Sequence, residues 1–226
     1  MILTKPTPYN LPRLLTWCCL GLFLISSAAC RERSEPARKA APATQEELDA
    51  SAAQDTAFYI IPGEHIGQIR LSMQPEEVHN TLGDPDFSEA AMGKAKQTWY
   101  SAATDSPRHQ VDVYTVRQRT GEPDEVVEVD QVRVTSPSFT IPRMRISPGS
   151  RLTKIQQYFP NLQAVAYYPT PKQGRVYVYD DRVGGIAFEL TGPDSVCVGI
   201  TVHPKGRGVE QAPIPLQDGM VRLRQQ

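Results

Sequence analysis

Cysteine is scarce in this 226-residue chain: Cys18, Cys19 and Cys30 sit near its start, and Cys197 stands alone in the rest. No disulfide framework and no CxxC site can be drawn from four cysteines so placed. An excess of either charge is missing as well. Twenty-four basic and 25 acidic residues leave a formal net charge of −1, with no long basic run, which excludes an electrostatic footprint for nucleic acid. Long apolar runs are absent except for one short stretch near the N-terminus, and mean hydropathy is −0.38. A protein crossing the membrane many times by helices is thereby excluded. Histidine is sparse too: His65, His79, His109 and His203 form no HxH, HExxH or Cys/His pair at metal spacing. There is no GxSxG, no phosphate-binding Gly-Lys-Ser/Thr loop and no GxGxxG. The expectation is therefore no catalytic constellation, no metal and no cofactor.

What is present begins with a leader. Lys5 and Arg13 make a basic start, Leu14 to Ile25 an apolar core, and Ser26, Ser27, Ala28 and Ala29 a small-residue exit. This is the pattern of a signal peptide over 1–30, with a core too short to cross a bilayer as a helix. The junction Ser27-Ala28-Ala29-Cys30 resembles the lipobox of bacterial lipoproteins, with Ser27 where leucine is usual. That resemblance implies acylation of Cys30 and, with Arg31 following, an outer-membrane address. Ser27 and Ala29 also satisfy an ordinary cleavage site, so plain secretion is the alternative. Residues 31–56 read as a disordered tether: ten charged residues, seven alanines and two prolines leave Leu48 as the sole large aliphatic. Removing the leader leaves 22 basic against 25 acidic residues, a mildly acidic balance that names no partner.

From Ala57 the chain has the composition of a packed body and repeats itself weakly. Ile69-Arg70-Leu71-Ser72-Met73-Gln74-Pro75-Glu76-Glu77-Val78 leads to Leu82-Gly83, and Met144-Arg145-Ile146 through Ser150-Arg151-Leu152 leads to Phe159-Pro160. Pro75, Glu76 and Glu77 suit a helix start and Gly83 its stop, while Ser150 is read as the second helix's N-cap and Pro160 as its stop. Strands are expected near Gln97–Ser101, Gln110–Arg117, Glu125–Thr135, Ala164–Tyr168, Arg175–Asp180, Gly185–Leu190 and Val196–His203. Short turns between them favour antiparallel pairing. The expected class is α+β: a tandem repeat of helix plus antiparallel β-meander, over 57–138 and 139–205, with an irregular tail at 206–226.

The runs Ile66-Gly67-Gln68-Ile69-Arg70-Leu71-Ser72-Met73, Glu76-Glu77-Val78 and Leu82-Gly83-Asp84-Pro85 carry a resemblance. They are similar to the repeat of the small outer-membrane lipoprotein (SmpA/OmlA, BamE) and β-lactamase-inhibitor-protein (BLIP) superfamily. Ser72 stands where that repeat has glycine, and Gln74 where it has a Ser/Thr cap. The resemblance implies one curved sheet with helices on one face and the other face free to bind.

Alternation then selects the residues for that free face. With Val196, Val198, Ile200, Val202, Ile186, Phe188 and Leu190 on the helices, Glu189, Thr201 and His203 point away. With Val176 and Val178 in the core, Tyr177 and Tyr179 join them, as does Tyr114. Tyrosine clusters suit protein recognition, although strand tyrosines also serve simply as cross-strand cover. Other groupings are weaker. Glu76 and His79 make one Glu-x-x-His step where di-iron bundles need two, and His79 reads as packing. Asp194-Ser195 read as turn residues rather than partners of His203, and Asp180-Asp181 as a strand end. The leading expectation is a non-catalytic envelope lipoprotein that binds another envelope protein through its sheet face, with membrane contact through the N-terminal lipid and no nucleic acid. The alternatives are an inhibitor of an envelope enzyme and a binder of a small ligand or lipid in the sheet concavity. Oligomeric state is not legible.

Overall fold

Valine, isoleucine, threonine and tyrosine are concentrated in short runs between Trp99 and Val202, and such residues fit a pleated, half-buried surface. The computed structural model describes residues 56–171, 174–192 and 194–224; the signal peptide, Cys30 and the tether up to residue 55 lie outside them. Among the described residues, β1 (Ile60–Ile61), β2 (His65–Ile66) and β3 (Ile69–Arg70) form a small antiparallel sheet. Helix α1 (Pro75–Leu82) follows, then β4 (Phe87–Ala91), β5 (Lys94–Tyr100), β6 (Gln110–Gln118) and β7 (Val126–Val134). Helix α2 (Leu152–Tyr158) precedes β8 (Gln163–Thr170), β9 (Gly174–Asp181), β10 (Ile186–Thr191) and β11 (Val196–Val202). A 3₁₀ turn at Val209–Gln211 and β12 (Val221–Arg222) complete the chain. The large sheet is antiparallel throughout, in the order β12-β8-β9-β10-β11-β7-β6-β5-β4.

The expected α+β class is corrected by this architecture. Among the described residues the protein is mostly β, with twelve strands against helices of 8 and 7 residues, and a helix-plus-meander repeat does not describe it. Helices of two turns are marginal on their own, so much of the sheet is covered by irregular chain and by the β1–β3 sheet instead. The helix starts also differ in quality. In α1, Glu77 Oε2 accepts the Gln74 N–H at 2.9 Å and Pro75 occupies the first turn. In α2 the N-cap is Arg151, without a side-chain cap, because the Ser150 hydroxyl accepts the Ser147 N–H at 3.1 Å instead.

Two apolar clusters lie on opposite faces of the large sheet. On the helix side, Val78 of α1 and Ile155 of α2 pack with Ile60, Ile66 and Ile69 over Val113, Val132, Val134, Phe188, Ile200 and Val202. On the other side, Val209 and Leu216 pack over Tyr114, Ala166, Tyr168, Val176, Val178 and Ala187. Both faces are therefore occupied, the second by the C-terminal segment. The described part of the tail that reads as irregular docks on the sheet through Val209 and Leu216, and β12 pairs with β8, with the Leu223 N–H donating to Val165 O at 2.8 Å.

Three register shifts organise that second face. Between β6 and β7 Asp130 is the extra residue, between β8 and β9 it is Val165, and between β10 and β11 it is Val198. Each bulge adds a side chain toward the C-terminal segment: Asp130 meets Arg207, and Val165 and Val198 join the second cluster.

Candidate functional site

The bulge at Val198 breaks the alternation expected for β11. Leu190 pairs with Cys197 rather than with Val196 or Val198, so Cys197 enters the helix-side core and Val198 faces the other way. In β9 the expected facing is reversed. Tyr179 and Tyr177 pair with Phe188 and Leu190 on the helix side, whereas Val176 and Val178 face the C-terminal segment.

The proposed open face is accordingly closed. Tyr114, Glu189, Thr201 and His203 do point away from the helices, but each is at most 1% exposed. The C-terminal segment covers them because it can bond to that face. The Tyr114 hydroxyl donates to Leu216 O at 2.9 Å, Gln131 Nε2 to Ile214 O at 3.3 Å, and Lys94 Nζ to Pro213 O at 3.2 Å. Tyr179 is half-buried in the first core, and Tyr177, 38% exposed, lies 6.0 Å from the Tyr167 ring on the helix side. The six residues expected to form one docking surface are thus divided between two faces, and four of them are interior.

What the covered face contains is a buried ionic network. Arg133 grips Glu189 with Nε to Oε1 at 2.5 Å and Nη2 to Oε2 at 3.0 Å, and reaches Asp112 Oδ2 with Nη1 at 2.8 Å. The Thr98 hydroxyl donates to Asp112 Oδ1 at 2.7 Å, Gln110 Nε2 to Asp112 Oδ2 at 2.7 Å, and the Tyr168 hydroxyl to Glu189 Oε2. Gly199 leaves room for this pair, since a Cβ there would lie 2.7 Å from Glu189 Oε1. Burial is the largest influence on Arg133 and opposes its charge, but Glu189, Tyr114 and Asp112 together outweigh burial and hold the guanidinium well above its ordinary value. Burial first, and Asp112 second, pushes the Tyr114 phenol up; burial and then Glu189 do the same for Tyr168. The single Arg133 charge offsets one of the two carboxylates, hydrogen bonds from Thr98, Gln110 and Tyr168 serve the remaining oxygens, and the polar atoms are turned inward.

A second network ties down the segment itself. His203 Nε2 lies 2.9 Å from Asp180 Oδ1, while Asp180 Oδ2 accepts the Val209 N–H at 3.0 Å. Arg182 pairs with Glu210 at 2.9 Å and Arg207 with Asp130 at 2.5 Å. Asp181 Oδ1 accepts the Gly184 N–H at 3.0 Å and closes a turn, so the two adjacent aspartates have separate structural partners. Ser195 lies in the β10–β11 turn while His203 follows the other end of β11, so no Asp-Ser-His contact forms. His79 accepts from Gln97 Nε2 at 2.8 Å and lies 6.4 Å from the Trp99 ring. Cys197 is buried with Sγ 3.3 Å from Gly199 O, and burial, then Glu189, pushes its thiol up. Among the described residues, no three His, Cys, Asp or Glu side chains are grouped to hold a metal, and no helix is long and apolar enough to cross a membrane.

The exposed feature that the sequence reading missed is the β4–β5 hairpin. Strand β4 ends the large sheet, and all five of its residues are exposed. Met92 and Gly93 form the turn with φ of 50° and 72°, the paired positive values of a type I′ hairpin. Phe87, Met92 and Tyr100, three of the eight exposed large hydrophobic residues described, belong to this hairpin and its end. Between the hairpin and the C-terminal segment runs an open groove of about 570 Å³, walled by Ala91, Met92, Lys94, Pro213, Ile214 and Pro215. The available signal was the Met92-Gly93 turn before the alternating Lys94-Ala95-Lys96-Gln97; the alanines of β4 masked the rest.

No family model matches the chain, and no curated protein matches it. Among solved structures, an extracellular protein containing an SCP domain from Bacillus anthracis str. Ames is similar with a TM-score of 0.38 and 12% identity. That match covers 60% of this chain and 44% of the other. A likeness so low carries no argument about fold or function.

Proposed function

We propose that this chain is a non-catalytic binding protein of the bacterial cell envelope, held by lipid on Cys30 at the periplasmic face of the outer membrane, that engages another envelope protein along the free edge of its large sheet. The observation that carries the binding surface is the β4–β5 hairpin, where exposed apolar side chains, an uncovered strand and an open groove coincide. An exposed sheet edge presents unpaired backbone groups to another chain, and exposed apolar side chains beside it add to such a contact. The leader ending Ser27-Ala28-Ala29-Cys30 supports the address. The Arg133, Asp112, Glu189, Asp180 and His203 side chains support a structural role for the covered face, because they are bonded to one another and, through Asp180 and Val209, to the C-terminal segment.

Site-specific photocrosslinking in intact cells tests this. A crosslinker at Met92 or Ala90 is expected to give a discrete adduct with an envelope protein, whereas one at the exposed Val183 gives none. Equal adducts from Val183, or none from the hairpin, would overturn the reading. Metabolic labelling with a fatty acid, compared between the native chain and Cys30→Ser, tests the anchor.

A further inference from the structure

Resting on the hairpin as the docking surface, we propose that the occupant is an extended peptide strand of another protein, with a lysine or arginine at its centre and apolar residues two positions to either side. The argument starts from the register. Ala91 pairs with Lys94 across the two-residue turn, Glu89 with Lys96, and Phe87 with Thr98. In a hairpin of this type the pair next to the turn exchanges both backbone hydrogen bonds, and every second pair does the same. Phe87, Glu89 and Ala91 therefore spend their N–H and C=O groups on β5. Ser88 and Ala90 present theirs outward, four groups in all, where no strand pairs with them among the described residues. That is the template for strand addition, in which backbone bonds hold the ligand and alternate side chains select it.

Side-chain selection comes from the face shared with Glu89. The residue of an antiparallel ligand lying between the two bonded positions stands directly opposite Glu89. Lys96, the in-register partner of Glu89, carries its Nζ over the Tyr114 ring at 5.8 Å, and Glu89 is in no described ion pair. A basic residue opposite Glu89 complements it, and Asp218 on the groove wall adds a second carboxylate, while of the two groove lysines Lys94 is turned to Pro213 O and Lys96 to Tyr114. Two residues away, one ligand side chain lies against Phe87 and the other enters the groove beside Ala91, Ile214 and Pro215. A second copy of this chain is the wrong occupant. The symmetric pairing that uses Ser88 and Ala90 sets Glu89 opposite Glu89, and like charges so placed repel.

The experiment uses the full chain carrying Cys30→Ser, and a fluorescent heptapeptide of alternating threonine and valine with lysine at its centre. Anisotropy titrations compare it with the same peptide bearing glutamate, and hydrogen exchange follows the Ser88 and Ala90 amides. The lysine peptide is expected to bind about fivefold or more tightly than the glutamate peptide and to protect both amides. Glu89→Lys, an exposed change, should reverse the preference. Ala90→Pro, which removes an outward donor and no β4–β5 bond, should weaken both peptides. Binding that ignores Glu89→Lys, protection elsewhere, or no binding would overturn the inference. If the Met92 crosslink in cells survives Ala90→Pro, docking at the hairpin stands and strand addition falls.

Discussion

Replacing Arg133 with methionine is the sharpest test of how the covered face is held. Its side chain is 5% exposed, and both carboxylates that it bonds are fully buried. The change removes three charge-assisted hydrogen bonds and leaves Asp112 and Glu189 facing each other without a cation. Breaking a buried ion pair from one side costs about 3–5 kcal/mol, against a total stability of roughly 5–15 kcal/mol for an ordinary domain. With a urea slope of about 2 kcal/mol per molar, the unfolding midpoint should fall by roughly 1.5–2.5 M. Urea titrations followed by circular dichroism read this directly. The companion variant Arg133→Met/Asp112→Asn/Glu189→Gln removes the stranded charges and should recover at least half of the deficit. A single variant within about 1 kcal/mol of the native chain, or a triple variant no better than the single, would refute the reasoning.

Further outcomes follow from the same packing. Leu216→Ala should cost about 2–5 kcal/mol, because this fully buried side chain anchors the C-terminal segment over the sheet; an unchanged melting temperature would mean that the segment does not belong to the folded core. Cys197 should resist a thiol reagent in the native protein and react only on unfolding, since burial, then Glu189, disfavours its thiolate; rapid native-state labelling contradicts this. Tyr114 and Tyr168 set an alkaline limit. Burial raises both, with Asp112 and Glu189 as the respective second causes, while a tyrosine in the unfolded chain ionises near pH 10. The folded state binds more protons above that pH, so the stabilisation is complete below about pH 10 and is lost as pH rises further. Phenolate absorbance should show these two ionising together with the loss of circular dichroism; ionisation of all nine tyrosines in an intact fold would contradict the account.

Strand positions were legible because their signal is local. The seven expected strands appear within three residues of their forecast ends, from β5 to β11. What escaped depends on long-range contact. Alternation places Thr201, Glu189 and His203 on the side away from the helices, where they lie, yet burial on that side follows from Val209 and Leu216, which are remote in sequence from the strands they cover. The facing of Tyr177 and Tyr179 failed because β9 takes its parity from pairing with β10, not from its own pattern. An isolated arginine in a strand reads as surface, and the partners that bury Arg133, Asp112 and Glu189, lie 21 and 56 residues away. β4 has alanine at two of five positions and little intrinsic strand preference; the hairpin turn and β5 impose its conformation.

The bulges at Asp130, Val165 and Val198 have a consequence for how this chain tolerates length changes. Each is a single surplus residue in an otherwise two-periodic ladder, so excising one would be compensated locally by restoring strict pairing, whereas excising a neighbour outside the bulge would slide the remainder of that strand and exchange its inner and outer side chains. Codon-level deletions scanned along β7, β8 and β11 should therefore be accepted at three isolated places and rejected between them, a pattern that substitutions would never expose.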